Sequence, residues 1–595
     1  MSSALVLYNS VGYRIARDAI FWLVLLKYGV DAVDYVTAHG GIRETVLYAY
    51  KTLPLSLGRY FYRIFGRADP LEVAVSAAAA RVAQKVAPSA FDQSLTHYTQ
   101  LPTKGLGAER VIAELLKYKS RDSTTVYDGK VSGGVYSGEI EGRELAAEAV
   151  KMFIHSNPLH PSLFESTRAM EAEVVSMVLH MFNAPPDAGG VLTSGGSESL
   201  LMAVKAYRDW ARDVKGITKP NIVVPLTLHP AVQKATEFFS VQIRKVDIDP
   251  TTLKVDLGAM ERAIDRNTIA IFGSLPNYPY GVCDPIPALG ALAQKYGIGL
   301  HIDACLGGFV IAFMDKAGFG DGLKKDLGWT GKHGWGGGFE VEGVTSISCD
   351  THKYGFAPKG TSTILYRSSE LRRYQYSVET GWPGGLYASH GVLGSRPGAL
   401  IAGCWAVLMK NGEDGYINSS REIVNTARRI AQGLNKIPGI QVMGNPIASV
   451  VAWRSVDPLV DISEVGHTLN KRGWHLGSLQ LPSALHFSVT LITARAVDQL
   501  LADTAEAVKA AREMGKAAVA RGEKPKSNTT VVYGGGSVVE KAVAAEMAKV
   551  YLDSIYKAAP TDGFTVSTED EMRETMSKAI GKEGANKLSK ALETI

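Results

Sequence analysis

Between residues 189 and 366 the sequence alternates short apolar segments with longer amphipathic ones, and this alternation constrains the fold more than any other feature. Segments such as NIVVPLTLH, which ends at His229, are rich in β-branched residues and are typical of strands buried on both faces. Segments such as SESLLMAVKAYRDWARDV repeat apolar residues at helical spacing. Strands that alternate with helices predict an α/β fold with a mostly parallel sheet and helices on both of its faces.

The chain has 595 residues, which is too many for one hydrophobic core. From about residue 415 onward, helices and two or three strands predict a smaller α+β domain. The glycine-rich segment Phe319–Gly343 interrupts the alternation and is predicted to be a surface insertion. The predicted division is an N-terminal arm (1–67), an N-terminal segment (68–165), a large domain (166–414), a small domain (415–560) and a peripheral tail (561–595).

Charge and cysteine content exclude several classes of protein. The net charge is only +5 and the Cys/His spacing is not that of a zinc module, so we predict no nucleic-acid partner and no metal site. The four cysteines, at positions 283, 305, 349 and 404, form no CxxC pair. They are predicted to be reduced thiols of a domain that faces the cytosol.

The first 67 residues differ from the rest in composition. The apolar run Ala19–Leu26 is much shorter than the roughly 20 residues that span a bilayer. The segment Leu47–Arg67 mixes aromatic, leucine and basic residues, a mixture that suits a membrane interface. Composition alone favours equally a membrane-associated arm and a helical arm that packs on a partner subunit.

Three residues that could carry chemistry follow predicted strands: His229, Asp303 and Lys353. In an open α/β sheet, ligands bind at the carboxyl ends of the strands. A lysine amine can form a Schiff base with the aldehyde of pyridoxal 5'-phosphate, an aspartate can pair with its pyridine nitrogen, and an imidazole can stack on its ring. The glycine turn TSGGSES at a helix N-terminus offers N–H groups to the phosphate. Each feature alone is common, but their order along the chain predicts this cofactor.

Six longer motifs give a resemblance to a known family. Together they resemble the sphingosine-1-phosphate lyases over roughly residues 70–560, and they read NPLHPSLF, VLTSGGSESLLMAVKAYRD, HIDACLGGF, SISCDTHKYGFAPKG, GWPGGLYASHGVLGSRPG and GWHLGSLQLP. These are fold-type I enzymes that use pyridoxal phosphate and are related to group II amino-acid decarboxylases. The resemblance implies a seven-stranded sheet in the large domain, a homodimer, and a loop at GWPGGLYASHG that reaches the partner's cofactor.

The resemblance also implies roles for individual residues. It assigns the cofactor to Lys353, Asp303, His229, Gly195, Gly196 and Ser197. It assigns the substrate phosphate to Tyr136, His160 and Lys359, with Asn157 and His352 beside Lys353 at the reacting centre. Three positions depart from the family pattern: Ser197 stands in place of Thr, Pro230 in place of Ala and Gly381 in place of an acidic residue.

The implied reaction is a retro-aldol cleavage of a phosphorylated sphingoid base at C2–C3, which gives a long-chain aldehyde and phosphoethanolamine. Because the lysine amine must be neutral to attack, we expect burial and a nearby cation to lower the pKa of Lys353. One alternative is an amino-acid decarboxylase, which needs residues that bind a carboxylate in place of residues that bind a phosphate. The other is a catalytically silent membrane scaffold, which retention of Lys353 and Asp303 disfavours.

The resemblance finally implies a location. Eukaryotic members typically carry one N-terminal membrane segment in the endoplasmic reticulum, with the catalytic domain in the cytosol. We therefore expect membrane lipid to contact the arm 1–67. The sequons at Asn418 and Asn528 should then remain without sugar.

Overall fold

A computed structural model of the chain describes residues 100–523, together with Tyr98 and a few isolated residues between 545 and 556. Residues 104–540 belong to one compact unit, and the described residues before 104 and after 540 belong to a second. The predicted arm 1–67 and tail 561–595 lie outside the described residues. Within the part of the chain that the structure describes, no helix has the length and apolar character that a bilayer crossing needs.

A seven-stranded sheet organises the first half of this unit. Its strands are β1 (Gly189–Thr193), β2 (Asn221–Pro225), β3 (Gln242–Val246), β4 (Thr268–Ser274), β5 (Gly299–Asp303), β6 (Ser346–Cys349) and β7 (Ser362–Tyr366). They lie in the order β1-β7-β6-β5-β4-β2-β3. Only β7 runs antiparallel to its neighbours, β1 and β6. The predicted mostly parallel sheet is therefore confirmed.

Helices cover both faces of this sheet, as predicted. The helices of this part of the chain are α1 (Ala108–Lys119), α2 (Ile140–Met152), α3 (Glu165–Met181), α4 (Gly196–Lys215), α5 (Ala231–Phe239), α6 (Leu257–Ala263), α7 (Ile286–Tyr296), α8 (Gly308–Ile311) and α9 (Gly320–Leu327). Neighbouring residues of β2 point to opposite faces. Ile222 packs in a core with Leu200 of α4, whereas Val223 packs in the core that contains Val178 of α3 and Leu289 of α7.

The second half forms a four-stranded antiparallel sheet with helices, in agreement with the predicted α+β region. Its elements are α10 (Ser369–Arg373), β8 (Ser377–Glu379), β9 (Tyr387–Ser389), α11 (Gly398–Leu434), β10 (Ile440–Val442), β11 (Val450–Ser455), α12 (Ile462–Lys471), β12 (Gly477–Gln480), β13 (Ser483–Ser488) and α13 (Val497–Ala520). The strand order is β10-β11-β13-β12, and β8 pairs with β9 separately. Helix α11 bends at Gly412 and continues through residues 414 and 415, where the sequence predicts a domain boundary.

The segment 319–343 is not the surface insertion that the sequence predicts. Leu323, Trp335 and Phe339 are almost completely buried and belong to the larger core. The Trp335 ring lies 5.9 Å from that of Phe182. The glycines turn the backbone tightly, so that one Glu340 carboxylate oxygen accepts the N–H groups of Trp335, Gly336 and Gly337. Glycine content therefore marks a compact folded segment here, and the expectation of a surface loop is wrong.

Candidate active site

Two adjoining cavities lie where β4, β5 and β6 end. The first, the sheet-end cavity, has a volume of about 610 Å³ and is lined by Ser274, Asp303 and Asp350 from the strand ends. The second, the side cavity, has a volume of about 470 Å³ and lies against α2 and α11. Four residues line both cavities: Gly134, Tyr136, His352 and Lys353.

Asp303 and Lys353 meet in the sheet-end cavity, although 50 positions separate them in sequence. Asp303 is the last residue of β5, and its Oδ1 accepts the N–H of Cys305 at 3.1 Å. Lys353 lies in the turn after β6, and its Nζ is 2.8 Å from Oδ2 of Asp350. The Asp350 side chain is only 2% exposed. The sequence predicts no role for Asp350, and the signal it offers there is only the spacing of three residues from the lysine.

The ion pair decides the proton affinity of the lysine. Burial has the largest single effect and lowers the pKa of Lys353, but the charge and hydrogen bond of Asp350, together with Cys305 and Tyr136, raise it above its ordinary value. The expected lowering is therefore wrong, because the nearest charged group is a carboxylate and not a cation. The pKa of Lys359 is lowered instead: the residue is exposed as a whole, but partial burial of its amine and the charge of Lys353 lower the pKa, and Asp350 acts against them.

His352 lines both cavities, and its two ring nitrogens have different neighbours. Its Nδ1 accepts the N–H of Thr361 at 3.3 Å, and its Nε2 lies 3.5 Å from Oδ2 of Asp350. Burial lowers the pKa of His352, with Lys359 and Lys353 acting in the same direction and Asp350 against it. The neutral ring is therefore favoured, with Nδ1 as the acceptor and the proton on Nε2.

His229 reaches the sheet-end cavity from a turn and not from the end of a strand. Strand β2 stops at Pro225, and the N–H of Leu228 bonds to the Pro225 carbonyl at 3.0 Å. The predicted strand up to His229 is therefore too long, because the chain turns after Pro225. The ring is still oriented, since its Nδ1 accepts the N–H of Ala231 at 3.2 Å. His229 lines the same cavity as Asp303 and Lys353.

The glycine turn at the start of α4 forms another wall of this cavity. Gly195 precedes the helix, and Gly196 and Ser197 are its first residues. A Cβ atom at Gly196 would lie 2.8 Å from Sγ of Cys305 and 2.9 Å from Oδ1 of Asp350, so no side chain fits there. The backbone N–H groups of the first turn therefore stay open to an anion, and the helix dipole favours one.

These groups fit pyridoxal 5'-phosphate. A phosphate suits the first turn of α4, a pyridinium nitrogen suits the buried carboxylate of Asp303, and an aldehyde suits the amine of Lys353. The imidazole of His229 offers a flat surface for the ring. Among the described residues no cluster of His, Cys, Asp and Glu could hold a metal ion. All four cysteines are free and buried, as predicted.

Tyr136 and Lys359 lie together in the side cavity. The Lys359 Nζ is 4.7 Å from the centre of the Tyr136 ring and donates to the His352 carbonyl at 3.1 Å. Burial raises the pKa of Tyr136 to about 12, so its hydroxyl keeps its proton at neutral pH. A cation beside a hydroxyl donor suits a phosphate. Ala146 and Val150 of α2 give the cavity an apolar wall.

Asn157 and His160 line neither cavity of this chain. The Asn157 amide donates to Oγ of Ser395 at 3.0 Å, and its carbonyl oxygen accepts the N–H groups of Leu159 and Arg396, each at 3.1 Å. It therefore joins the NPLHP turn to the residues before α11. His160 is exposed in the same turn. The roles implied for both at the reacting centre and the phosphate remain predictions.

Comparison with known proteins shows the family to which the chain belongs. Residues 143–456 match the family model described as the pyridoxal-dependent decarboxylase conserved domain. The chain is 40% identical over 562 residues to the sphingosine-1-phosphate lyase of Saccharomyces cerevisiae, which covers 93% of this chain and 91% of the yeast protein. It is 43% identical over 466 residues to sphingosine-1-phosphate lyase 1 of Rattus norvegicus, covering 77% of each protein.

A solved structure shows the same relationship. A sphingosine-1-phosphate lyase of Burkholderia pseudomallei is similar with a TM-score of 0.66 and 35% sequence identity. The similarity covers 73% of this chain and 97% of the bacterial chain. These comparisons confirm the fold class, the family resemblance and the cofactor that the sequence predicts.

Proposed function

We propose that this chain, which belongs to the sphingosine-1-phosphate lyase family, cleaves phosphorylated long-chain sphingoid bases between C2 and C3. The products are a long-chain aldehyde and phosphoethanolamine, and the reaction belongs to sphingolipid catabolism. One observation carries this proposal: a buried Asp303–Lys353 site for the cofactor adjoins a Tyr136–Lys359 site for a phosphate.

Pyridoxal 5'-phosphate, when bound, supplies an electron sink for the pair released as the C2–C3 bond breaks. Asp303 would keep its pyridine nitrogen protonated, His229 would support its ring, and the N–H groups at Gly196 and Ser197 would hold its phosphate. Lys353 would supply the amine that its aldehyde requires. Each of these residues stands on the wall of one cavity of about 610 Å³, which supports their assignment to one ligand.

Tyr136 and Lys359 bind the substrate phosphate, since together they offer a protonated hydroxyl and a cation. His160 is a third ligand in the implied set. The ring of His352 lies beside Lys353 on the wall of both cavities, where it could take part in proton transfer at the reacting centre. Asn157, which the resemblance places near the reacting centre, joins the NPLHP turn to Ser395 and Arg396.

The two alternatives receive less support. An amino-acid decarboxylase would use the same cofactor site, but its substrate has no phosphate for Tyr136 and Lys359, and the relatives at about 40% identity are lyases. A silent scaffold would have no need for the buried Asp303 or for Lys353.

The active form is a homodimer associated with the endoplasmic reticulum membrane through the arm 1–67, with the catalytic domain in the cytosol. The exposed apolar side chains of Trp382 and Leu386, in the loop predicted to reach a partner subunit, support the dimer. Four free, buried thiols suit the reducing cytosol. The aromatic and basic residues of Leu47–Arg67 support contact with lipid.

A direct assay tests the reaction. Purified full-length protein with pyridoxal 5'-phosphate is incubated with sphingosine 1-phosphate, and both the aldehyde and phosphoethanolamine are quantified. We expect equal amounts of the two products, and none from Lys353→Ala, because that variant lacks the reactive amine. Carbon dioxide release from amino acids without aldehyde formation from the lipid would favour the decarboxylase instead.

Fractionation and glycan mapping test the location. The full-length protein should sediment with microsomes, and deletion of residues 1–67 should release an active dimer. Asn418 is exposed on α11 and is therefore an accessible reporter of topology. Sugar on Asn418 would put the domain in the lumen, and a wholly soluble full-length protein would remove the membrane anchor.

A further inference from the structure

We infer that Asp350 is a positioning residue that holds the amine of Lys353 in the sheet-end cavity as a charged group, a role separate from that of Asp303. This deepens the proposed function and rests on it, because it concerns the lysine that receives the cofactor. The two aspartates follow neighbouring strands, β5 and β6, and both line the same cavity.

The position of Asp350 leaves its carboxylate little freedom. It follows β6 directly and is only 2% exposed. The start of α4 closes over it, since a Cβ atom at Gly196 would lie 2.9 Å from its Oδ1. The next residue, Thr351, is fixed by a 2.7 Å hydrogen bond to Oγ1 of Thr361. The carboxylate therefore presents Oδ2 to Lys353 from a rigid wall.

The two aspartates have different partners. Asp350 pairs with Lys353 at 2.8 Å, while its Oδ1 is buried without a hydrogen-bond partner among the described residues. Asp303 accepts the N–H of Cys305. A buried carboxylate with an unsatisfied oxygen is costly unless a cation stays beside it. Asp350 therefore requires Lys353 to be charged, whereas Asp303 remains free for a ring nitrogen.

Other titratable groups face this pair from several elements. Lys359 and His352 lie on the same turn, Tyr136 approaches from the segment before α2, and Tyr278 and Cys305 approach from the segments after β4 and β5. Asp350 is the strongest of the charges that favour the ammonium form of Lys353, and burial opposes it. Replacing Asp350 by asparagine keeps the shape and removes the charge, so the amine should lose its proton more readily.

Competitive labelling of Lys353 tests this directly. The full-length protein, stripped of cofactor, is treated with trace acetic anhydride between pH 7 and 10, and the Lys353 peptide is quantified by mass spectrometry. Removing an opposite charge within hydrogen-bond distance shifts a pKa by about 1 to 3 units. Asp350→Asn should therefore raise the labelling rate of Lys353 at pH 8 by roughly 10- to 1000-fold.

Asp303→Asn is the matched control, because it removes the other carboxylate of the cavity without removing the ion pair. In this variant the labelling rate of Lys353 should stay within about threefold of the wild-type rate, although catalysis is weakened. In the loaded enzyme, Asp350→Asn should also move the pH midpoint of the visible cofactor band to lower pH. The Asp303→Asn spectrum separates this shift from a general change in cofactor binding.

Two outcomes would overturn the inference. The first is an unchanged Lys353 labelling rate in a folded Asp350→Asn protein. The second is measured on the wild type and needs no variant. If Lys353 is a charge-paired amine, its labelling rate should still rise tenfold per pH unit up to pH 10. A plateau in the labelling rate below pH 10 would contradict the pairing. Neither measurement depends on lipid cleavage, so a failure of this inference can be distinguished from a failure of the proposed function.

Discussion

The two cavities of the active site are built from different parts of the fold. The sheet-end cavity takes Asp303 and Asp350 from the ends of neighbouring parallel strands, and both carboxylates are buried. The side cavity takes its residues from α2, α11 and the turn that holds Lys359, which is exposed. The groups that act on the cofactor therefore lie at or just beyond the strand ends and at the start of α4, and the groups that recognise the phosphate lie farther from the sheet.

This difference separates catalytic power from substrate choice. A substitution in the sheet-end cavity should impair every substrate, because all of them react at the same cofactor. A substitution in the side cavity should matter most for a phosphorylated substrate. The four predictions below measure how far this separation holds.

The largest effect is expected for Lys353→Ala. Turnover of sphingosine 1-phosphate should fall by about 10⁴-fold or more, because the reactive amine is lost. Thermal unfolding followed by circular dichroism should show a folded protein with a lowered melting temperature, since the buried Asp350 carboxylate loses the cation beside it. Peptide mapping after borohydride reduction should find the pyridoxyl group on Lys353 in the wild type. Finding it on Lys359 would exchange the roles of the two cavities.

Asp303→Asn should have the next largest effect. Its amide keeps the shape and the contact with the Cys305 N–H but cannot hold a protonated pyridine nitrogen. We expect turnover to fall by about 10²- to 10³-fold for phosphorylated and unphosphorylated substrates alike, with cofactor still bound. Steady-state rates on both substrates, with the bound cofactor measured by absorbance, provide the check. Near-normal rates would contradict the role of the buried carboxylate.

Lys359→Ala should discriminate between substrates. The cleavage rate of sphingosine 1-phosphate should fall by about 10- to 100-fold, since a hydrogen bond to a charged group contributes about 1.5–3 kcal/mol. Cleavage of an unphosphorylated analogue should change much less. Lys332→Ala serves as the control, because Lys332 is exposed and lines neither cavity. An equal loss on both substrates would show that Lys359 acts in the chemistry itself.

The smallest effect is expected at Ser197, the neighbour of a position that tolerates no side chain. Ser197→Thr keeps the hydroxyl at an exposed site and should change cofactor affinity by less than about threefold. Gly196→Ala places a methyl group against Cys305 and Asp350 and should weaken cofactor affinity by about tenfold. Titration of stripped protein with pyridoxal phosphate measures both. A larger loss of cofactor affinity in Ser197→Thr than in Gly196→Ala would contradict the close approach of α4 to Asp350.

The sequence predicts the sheet-end cavity better than the side cavity. Strand periodicity places Asp303 at the end of β5, and the carboxyl-end rule brings it together with Lys353. Asp350 could not be recognised in the same way, because an aspartate before a turn usually caps backbone N–H groups. Its partnership with Lys353 depends on how the turn after β6 folds back under α4.

Long-range packing explains the clearest misprediction. The glycine content of 319–343 can be seen in the local sequence. The packing of Trp335 against Phe182, which is distant in sequence, cannot be predicted from it. Likewise, helix propensity does not predict that α11 continues through residue 414. Its apolar residues on both sides of the bend at Gly412 pack into the core, which depends on distant parts of the chain. The sequence thus predicts elements reliably where burial follows a regular period, and less well where irregular backbone is buried.

The buried segment 319–343 has a consequence for anyone who redesigns the enzyme. Its glycine-rich appearance invites trimming, or the grafting of an epitope or reporter, as is done with exposed hairpins. Removing Trp335 and Phe339 would instead leave a void among large side chains, at a cost of about 3–5 kcal/mol for each aromatic ring. A shortened version would require new residues of matching volume from the opposing helices. Thr330–His333, which is exposed, is the place where the chain can accept an insertion.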